Sequence, residues 1–270
     1  MSAKLVLVGC GNMGYAMLEG WLKSGLIRAA ETIVVEPAET LRERAAQLGV
    51  NALANSGDIA AGAAPQLIIF AVKPQVILDI VPEYARFTSS ATYLSVAAGT
   101  PIAAFEKLLG DDAPVIRCMP NTPAAIGKGM MVTVANGNVS QDAAAFVREL
   151  LATNGEVASV DDEALMDAVT AVSGSGPAYV FHFIECLTAA GEAAGLASET
   201  AKLLAMQTVF GAASLAATSG TEPGELRRQV TSPNGTTAAA LDVLMGDDRL
   251  KKLVAEAVDA ARLRSIELGK

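Results

Sequence analysis

The chain has 270 residues, 51% hydrophobic and 18% charged, enough apolar material for one large domain or two ordinary ones. Twenty lysines and arginines against 29 aspartates and glutamates give a net charge of −9, which repels phosphate backbones and anionic membrane surfaces and argues against both as partners. Three scattered cysteines (Cys10, Cys118, Cys186), no CxxC pair and one histidine exclude a disulfide framework and a Cys/His zinc centre, so no metal is expected. The opening MSAKLVLVGCGNMG fits no secretory signal and no uncharged stretch reads as a membrane span, which makes a cytoplasmic protein the default expectation.

Up to about residue 160, short apolar runs alternate with helical patterns. KLVLV (4–8), TIVVE (32–36), QLIIFAV (66–72), TYLSV (92–96) and PVIRCM (114–119) are mostly rich in Val, Ile or Leu with little period-two alternation, as in strands buried on both faces of a parallel sheet. Residues 12–24, 38–48 and 75–86 lie between them as crossover helices. GMMVTVAN (129–136) and EVASV (156–160) are expected as edge strands flanking a helix near 141–153. The fold class that follows is α/β, a Rossmann-type doubly wound sheet over residues 1–160.

After residue 160 the strand signals stop. Asp161 and Asp162 read as helix caps, and Asp161, Asp162 and Glu163 together as the ordinary acidic start of a helix. Residues 177–195 and 198–218 read as two long helices, followed by three shorter ones. In the second long helix Leu203, Met206, Phe210, Ala213 and Ala217 recur at helical spacing while Ala and Gly crowd the other faces, so it must be buried on several sides. Residues 161–270 are thus expected to form an all-α domain that dimerises, a plain intrachain bundle being the alternative.

The first strand runs into Gly9-Cys10-Gly11-Asn12-Met13-Gly14, a GxGxxG in the strand–turn–helix context that gives it meaning. Gly9 permits the tight turn, Gly11 lets the backbone approach a pyrophosphate, and Gly14 lets the helix opened by Asn12 and Met13 pack closely. Glu36 ends the TIVVE strand, the place where an adenosine ribose is read. A carboxylate accepts from a free 2′-hydroxyl and repels a 2′-phosphate; unit charges about 4 Å apart at an effective dielectric of 20 interact by roughly 4 kcal/mol. The cofactor is therefore NADH or NADPH, tilted towards NADH, with the reverse open if Arg42 or Arg44 folds back from the following helix. Val72, Lys73 and Pro74 follow the QLIIFAV strand at its carboxyl end, where Lys73 is placed to meet ribose or phosphates. Met119, Pro120 and Asn121 end the PVIRCM strand in a proline-stiffened loop suited to a wall beside the nicotinamide.

In TSPNGTTAAALDVLMG (231–246), Ser232, Pro233 and Asn234 form a turn and a helix begins at about Gly235. The N–H groups of Gly235, Thr236 and Thr237 then project from a positive helix end, a carboxylate-sized anion site that needs no lysine or arginine. By itself the pattern is equally that of a well-capped helix start.

Taken together, GCGNMG, FAVKPQ (70–75), SVAAGT (95–100), IRCMPNTP (116–123), VSGSGPAYVF (172–181) and the 231–244 segment resemble the pyrroline-5-carboxylate reductase family over essentially the whole chain. The resemblance implies reduction of the cyclic imine 1-pyrroline-5-carboxylate to L-proline, the last step of proline biosynthesis, with NADPH or NADH. It implies a helical second domain that interlocks two subunits into a homodimer, often within a decamer. It assigns Thr237, the catalytic candidate, to the ring nitrogen, Gly235 and Thr236 to the substrate carboxylate, and Asn55 to the cofactor ribose. Asn234 stands where many relatives have glycine, and asparagine tolerates the same left-handed backbone. Glu36 departs from relatives that present small or basic residues there.

Such a reaction asks for little acid–base machinery, because a protonated imine is already electrophilic at carbon. His182, inside PAYVFHFIE, reads as a core or interface histidine. Cys10 and Cys118 read as open to modification when cofactor is absent, without a basic neighbour to lower their pKa. Two other readings stand beside this one. A β-hydroxyacid dehydrogenase-like enzyme would need a lysine at the start of the second domain, and none lies between Lys128 and Lys202. A non-catalytic dinucleotide-binding dimeric regulator would leave the 231–237 loop without a purpose.

Overall fold

The structure, a computed structural model, describes residues 3–269. The apolar runs become strands because backbone groups between two helical layers can be satisfied only by a ladder. In chain order these are β1 (Leu5–Val8), α1 (Asn12–Ser24), β2 (Thr32–Val35), α2 (Glu39–Ala46), β3 (Asn51–Leu53), β4 (Leu67–Phe70), α3 (Pro74–Ile80), β5 (Thr92–Ser95), α4 (Ile102–Leu109), β6 (Val115–Met119), β7 (Gly129–Ala135), α5 (Gln141–Ala152) and β8 (Gly155–Ser159). They form one sheet in the order β3-β2-β1-β4-β5-β6-β7-β8. Neighbours pair in parallel except β6 and β7, which are antiparallel. Of the two expected edge strands only β8 is an edge; β7 lies inside the sheet. The opposite edge is β3, which the sequence reading did not single out, as it did not single out α4.

Alternate residues of β1 enter opposite cores. Leu5 and Leu7 pack with Met17, Trp21 and Leu150 on one face, and Val6 and Val8 with Phe70, Tyr84 and Phe105 on the other. Each such buried side chain contributes about 1.5–3 kcal/mol. The direction of winding reverses between β1 and β4, so their carboxyl ends open the crevice where ligands bind in such sheets.

After β8 come α6 (Met166–Val169), a π-helical turn over Thr170–Gly174, α7 (Gly176–Ala193), α8 (Ser198–Thr218), α9 (Pro223–Gln229), α10 (Thr236–Met245) and α11 (Arg249–Leu268). The last helix, at 20 residues, is not short as expected. The chain divides into two compact units, one running through Ser175 and resuming at Ala261, the other Gly176–Ala260. The units part later than the change of texture near residue 160, because Met166 is buried in the core of the sheet and Ser265 on the last turns of α11 donates to Asp167 at 2.6 Å.

Within the second unit, α7 and α8 pack against one another and leave Phe181, Leu203 and Phe210 bare, as α10 leaves Val243 and α11 leaves Leu253, each at least 59% exposed. Among the described residues no helix is long and apolar enough to cross a membrane.

Candidate active site

The turn after β1 is built by its glycines. Gly9 has φ +85, and a Cβ there would lie 2.7 Å from Val72 Cγ1 and 2.9 Å from the Ala71 carbonyl oxygen. At Gly14 a Cβ would lie 2.6 Å from the Gly9 carbonyl oxygen. At Gly11 it would meet nothing within 4 Å, so the backbone there faces open space. Tyr15 N–H is the first of α1 to bond back, to Gly11 at 2.9 Å, which leaves the donors of Asn12, Met13 and Gly14 at the helix start.

Gly9 and Gly11 border a cavity of about 440 Å³ that also takes in Glu36, Asn55, Val72 and Lys73. A glycine turn with room above Gly11, helix-end donors and an acid at the end of β2 fit a dinucleotide. Glu36 is buried, and its carboxylate accepts from Cys10 N–H at 2.7 Å and from Ala38 N–H at 3.0 Å.

The remaining candidates of this unit lie apart from that cavity. Pro74 lines a second one of about 690 Å³, walled also by Gln75, Gly99, Thr100, Ser175 and Arg264. This cavity was not anticipated beyond the SVAAGT motif, since Arg264 reaches it from the far end of the chain. Met119 and Pro120 line neither of these cavities. Asn121 acts as a bracket. Its Nδ2 donates to the Ser173 carbonyl at 3.2 Å, and its Oδ1 accepts from Met130 N–H at 2.9 Å, tying the end of β6 to β7 and to the π-helical turn.

Three expectations need correction. Asp162 does cap, accepting from Ala164 N–H at 2.9 Å, and Glu163 opens the helical turn so capped, but its side chain is not spent on the helix start. The Glu163 carboxylate accepts from Arg117 Nη1 and from Ile102 N–H, both at 2.9 Å, and so supplies the acceptor that a buried guanidinium on β6 requires. His182 is not a core residue within its unit. It lies exposed on α7, with Nδ1 3.0 Å from Glu185 and Nε2 3.6 Å from Cys186 Sγ.

Cys10 and Cys118 are both buried rather than open to modification. Burial pushes the Cys10 thiol up to about 11 from an ordinary 9.0, Arg44 opposing and Glu36 adding to the shift, and burial alone pushes Cys118 higher still. Neither is expected to react with a disulfide reagent at neutral pH until the protein unfolds, a result that timed titration with and without urea checks. A folded-state thiol pKa above the unfolded value stabilises fully below pH 9.0, and that stability is lost as pH rises through about 11.

In the second unit Asn234 takes the left-handed backbone, φ 58, that its position was expected to require. Gly235 N–H donates to the Ser232 carbonyl at 3.0 Å, closing the turn, and a Cβ at Gly235 would strike Ser232 Oγ. Gly235 is also the N-cap of α10 and brings no side chain to it. The N–H groups of Thr236 and Thr237 therefore stand at a helix start without a side-chain acceptor, flanked by hydroxyls, as an anion would need. Among the described residues no cluster of His, Cys, Asp or Glu is arranged to hold a metal.

The doubly wound sheet and its glycine turn define a class, the oxidoreductases that work with a nicotinamide dinucleotide. Residues 163–268 match the family model described as pyrroline-5-carboxylate reductase dimerisation, and residues 4–99 that of NADP oxidoreductase, coenzyme F420-dependent. The pyrroline-5-carboxylate reductase of Pseudomonas aeruginosa is 40% identical over 268 residues, covering 98% of this chain and 97% of the relative. Among solved structures, the pyrroline-5-carboxylate reductase of Coxiella burnetii superimposes with a TM-score of 0.93 at 32% identity over 100% of both chains. That of Plasmodium falciparum, solved with NADP bound, gives 0.84 at 30% identity, covering 99% of this chain and 98% of the other. The chain belongs to the pyrroline-5-carboxylate reductase family.

Proposed function

We propose that the chain reduces 1-pyrroline-5-carboxylate to L-proline with NADH or NADPH, the last step of proline biosynthesis, in the cytoplasm. Full-length identity to the Pseudomonas aeruginosa reductase carries this reading. Residues 1–160 hold the dinucleotide and residues 161–270 supply dimerisation and the substrate loop. The coenzyme, when bound, supplies the hydride.

The turn at Gly9, Gly11, Asn12, Met13 and Gly14 receives the pyrophosphate. Glu36 and Asn55 border the adenosine ribose, and Val72, Lys73 and Pro74, with Met119, Pro120 and Asn121, line the path towards the nicotinamide. At the start of α10, Thr236 and Thr237 offer N–H groups to the substrate carboxylate, while Gly235, whose own N–H closes the turn onto Ser232, lets the carboxylate approach and Asn234 shapes the turn. Thr237 meets the ring nitrogen through its hydroxyl. A hydroxyl does not ionise near neutral pH, so Thr237 orients the ring and stabilises the amine as it forms, and solvent protonates the imine.

A second copy of the chain covers the apolar faces of α7, α8, α10 and α11. The large apolar side chains these helices leave exposed, Phe181, Leu203, Phe210, Val243 and Leu253 among them, favour a homodimer, with a decamer as five such pairs. Loss of reduced-coenzyme absorbance with 1-pyrroline-5-carboxylate tests the activity, and sedimentation gives the assembly. A folded protein that binds dinucleotide without turning over the imine would sink the reductase reading and favour a regulator.

A further inference from the structure

At the carboxyl end of β2 the question is whether a ribose or a ribose phosphate is welcome. Glu36 is only 7% exposed, yet it lines the cavity that Gly9, Gly11 and Asn55 share. Its two oxygens are each held by a main-chain donor, Cys10 N–H at 2.7 Å and Ala38 N–H at 3.0 Å. Swinging the carboxylate aside to admit a phosphate would strip both donors of their acceptor inside the protein. Each oxygen keeps a further lone pair for a ribose hydroxyl.

The cations that could reverse the local charge are engaged elsewhere. Arg42 Nη1 donates to the carbonyls of Glu36 and Pro37, at 3.0 and 2.9 Å. Arg44 lies 4.1 Å over the Tyr15 ring, and its Nη2 donates to the carbonyls of Cys10 and Gly11, at 3.2 and 3.4 Å. Its Nε is buried, and neither arginine lines the cavity. A second carboxylate, Glu83, does line it, hydrogen-bonded by the Ser56 hydroxyl, and Lys73 is the sole cation among the lining residues described.

Arg44 has a different task. The C=O and the following N–H of a trans peptide point in opposite directions. By fixing the carbonyls of Cys10 and Gly11, Arg44 turns the N–H groups of Gly11 and Asn12 away from itself. Glu36 and Arg44 thus hold Cys10 from its two ends, the N–H by the acid and the C=O by the base.

We propose that this chain selects NADH over NADPH, because Glu36 is locked at the ribose edge by the N–H groups of Cys10 and Ala38 while Arg44 holds the glycine turn. The proposal rests on the dinucleotide reading of the site. It is tested by dissociation constants for NADH and NADPH, measured by fluorescence titration without any imine present. Wild type is expected to bind NADH at least about tenfold more tightly. Glu36→Ser is expected to move the ratio at least about tenfold towards NADPH. Because serine cannot hold Cys10 N–H, Glu36→Gln is measured beside it. It keeps an acceptor oxygen, removes the charge, and is expected to relax the preference in a protein with wild-type circular dichroism. Arg44→Met is expected to weaken both coenzymes by the same factor.

Equal or tighter NADPH binding by wild type overturns the proposal, as does an unchanged ratio in both Glu36 variants. Loss of NADPH affinity alone in Arg44→Met overturns it too, making that arginine a phosphate receptor. Intact isotherms without imine turnover would instead fault the reductase reading and leave the coenzyme choice standing.

Discussion

Replacing Thr237 with alanine is expected to lower kcat for 1-pyrroline-5-carboxylate by about 10²-fold, the order of loss when a group that aligns the reacting atoms is removed. Thr237 is the second residue of α10, and the N-cap before it is Gly235, so its hydroxyl is not needed to close the helix. Alanine is also the better helix former there, so the change is expected to leave the fold intact. The hydroxyl should act on the ring nitrogen as it passes from iminium to amine, an interaction that strengthens towards the transition state. The loss is therefore expected in kcat, with KM within a few-fold of wild type, as for an interaction made only in the transition state.

Thr237→Ser, which keeps the hydroxyl, is expected to recover most of the rate, whereas Thr237→Val, which keeps the shape, is not. Thr236→Ala should do little by comparison, because Thr236 contributes its main-chain N–H. Steady-state kinetics on the four proteins separate these cases. A loss in Thr237→Ser with the rate kept in Thr237→Val would show that packing, not the hydroxyl, is what the position needs.

Some of this was legible in the residues and some was not, for physical reasons. The buried strands were read to within a residue or two because both faces of the sheet are covered, which leaves continuous apolar runs. Asn51–Leu53 escaped because a short edge strand, half exposed and polar at its start, carries no such run. The last helix was expected, but its length of 20 residues escaped because charged residues interrupt its apolar pattern. The glycine turn could be read locally, since its glycine spacing and the strand and helix that flank it lie within a few positions.

What surrounds that turn could not. Arg44 meets the Gly11 carbonyl across 33 positions, and Glu163 meets Arg117 across 46. Only the order of strands in the sheet brings such residues together. The substrate loop is a third case. Its turn and helix start follow from Asn234 and Gly235, but the task of Thr237 came from resemblance, since a hydroxyl at a helix start looks the same with or without a substrate.

Gly9 and Gly11 offer a contrast in which neighbouring glycines fail for different reasons. Gly9→Ala forces a side chain onto φ +85, which costs about 1–2 kcal/mol, and sets a Cβ against Val72 and the Ala71 carbonyl, adding about 1–3 kcal/mol of overpacking. A loss of roughly 2–5 kcal/mol is expected in urea unfolding at fixed protein concentration, together with loss of dinucleotide binding. The atoms in the way belong to the chain between β4 and α3, which cannot retreat without disturbing the sheet. At Gly11 the backbone is extended, φ −66 and ψ −164, and a Cβ meets nothing within 4 Å. Gly11→Ala is therefore expected to leave unfolding unchanged while raising the dissociation constant of either coenzyme by tenfold or more, about 1.4 kcal/mol. The methyl would occupy the space through which a pyrophosphate must approach. Unchanged affinity in a stable Gly11→Ala protein would mean that this space holds no ligand, and would remove the glycine turn from the binding site.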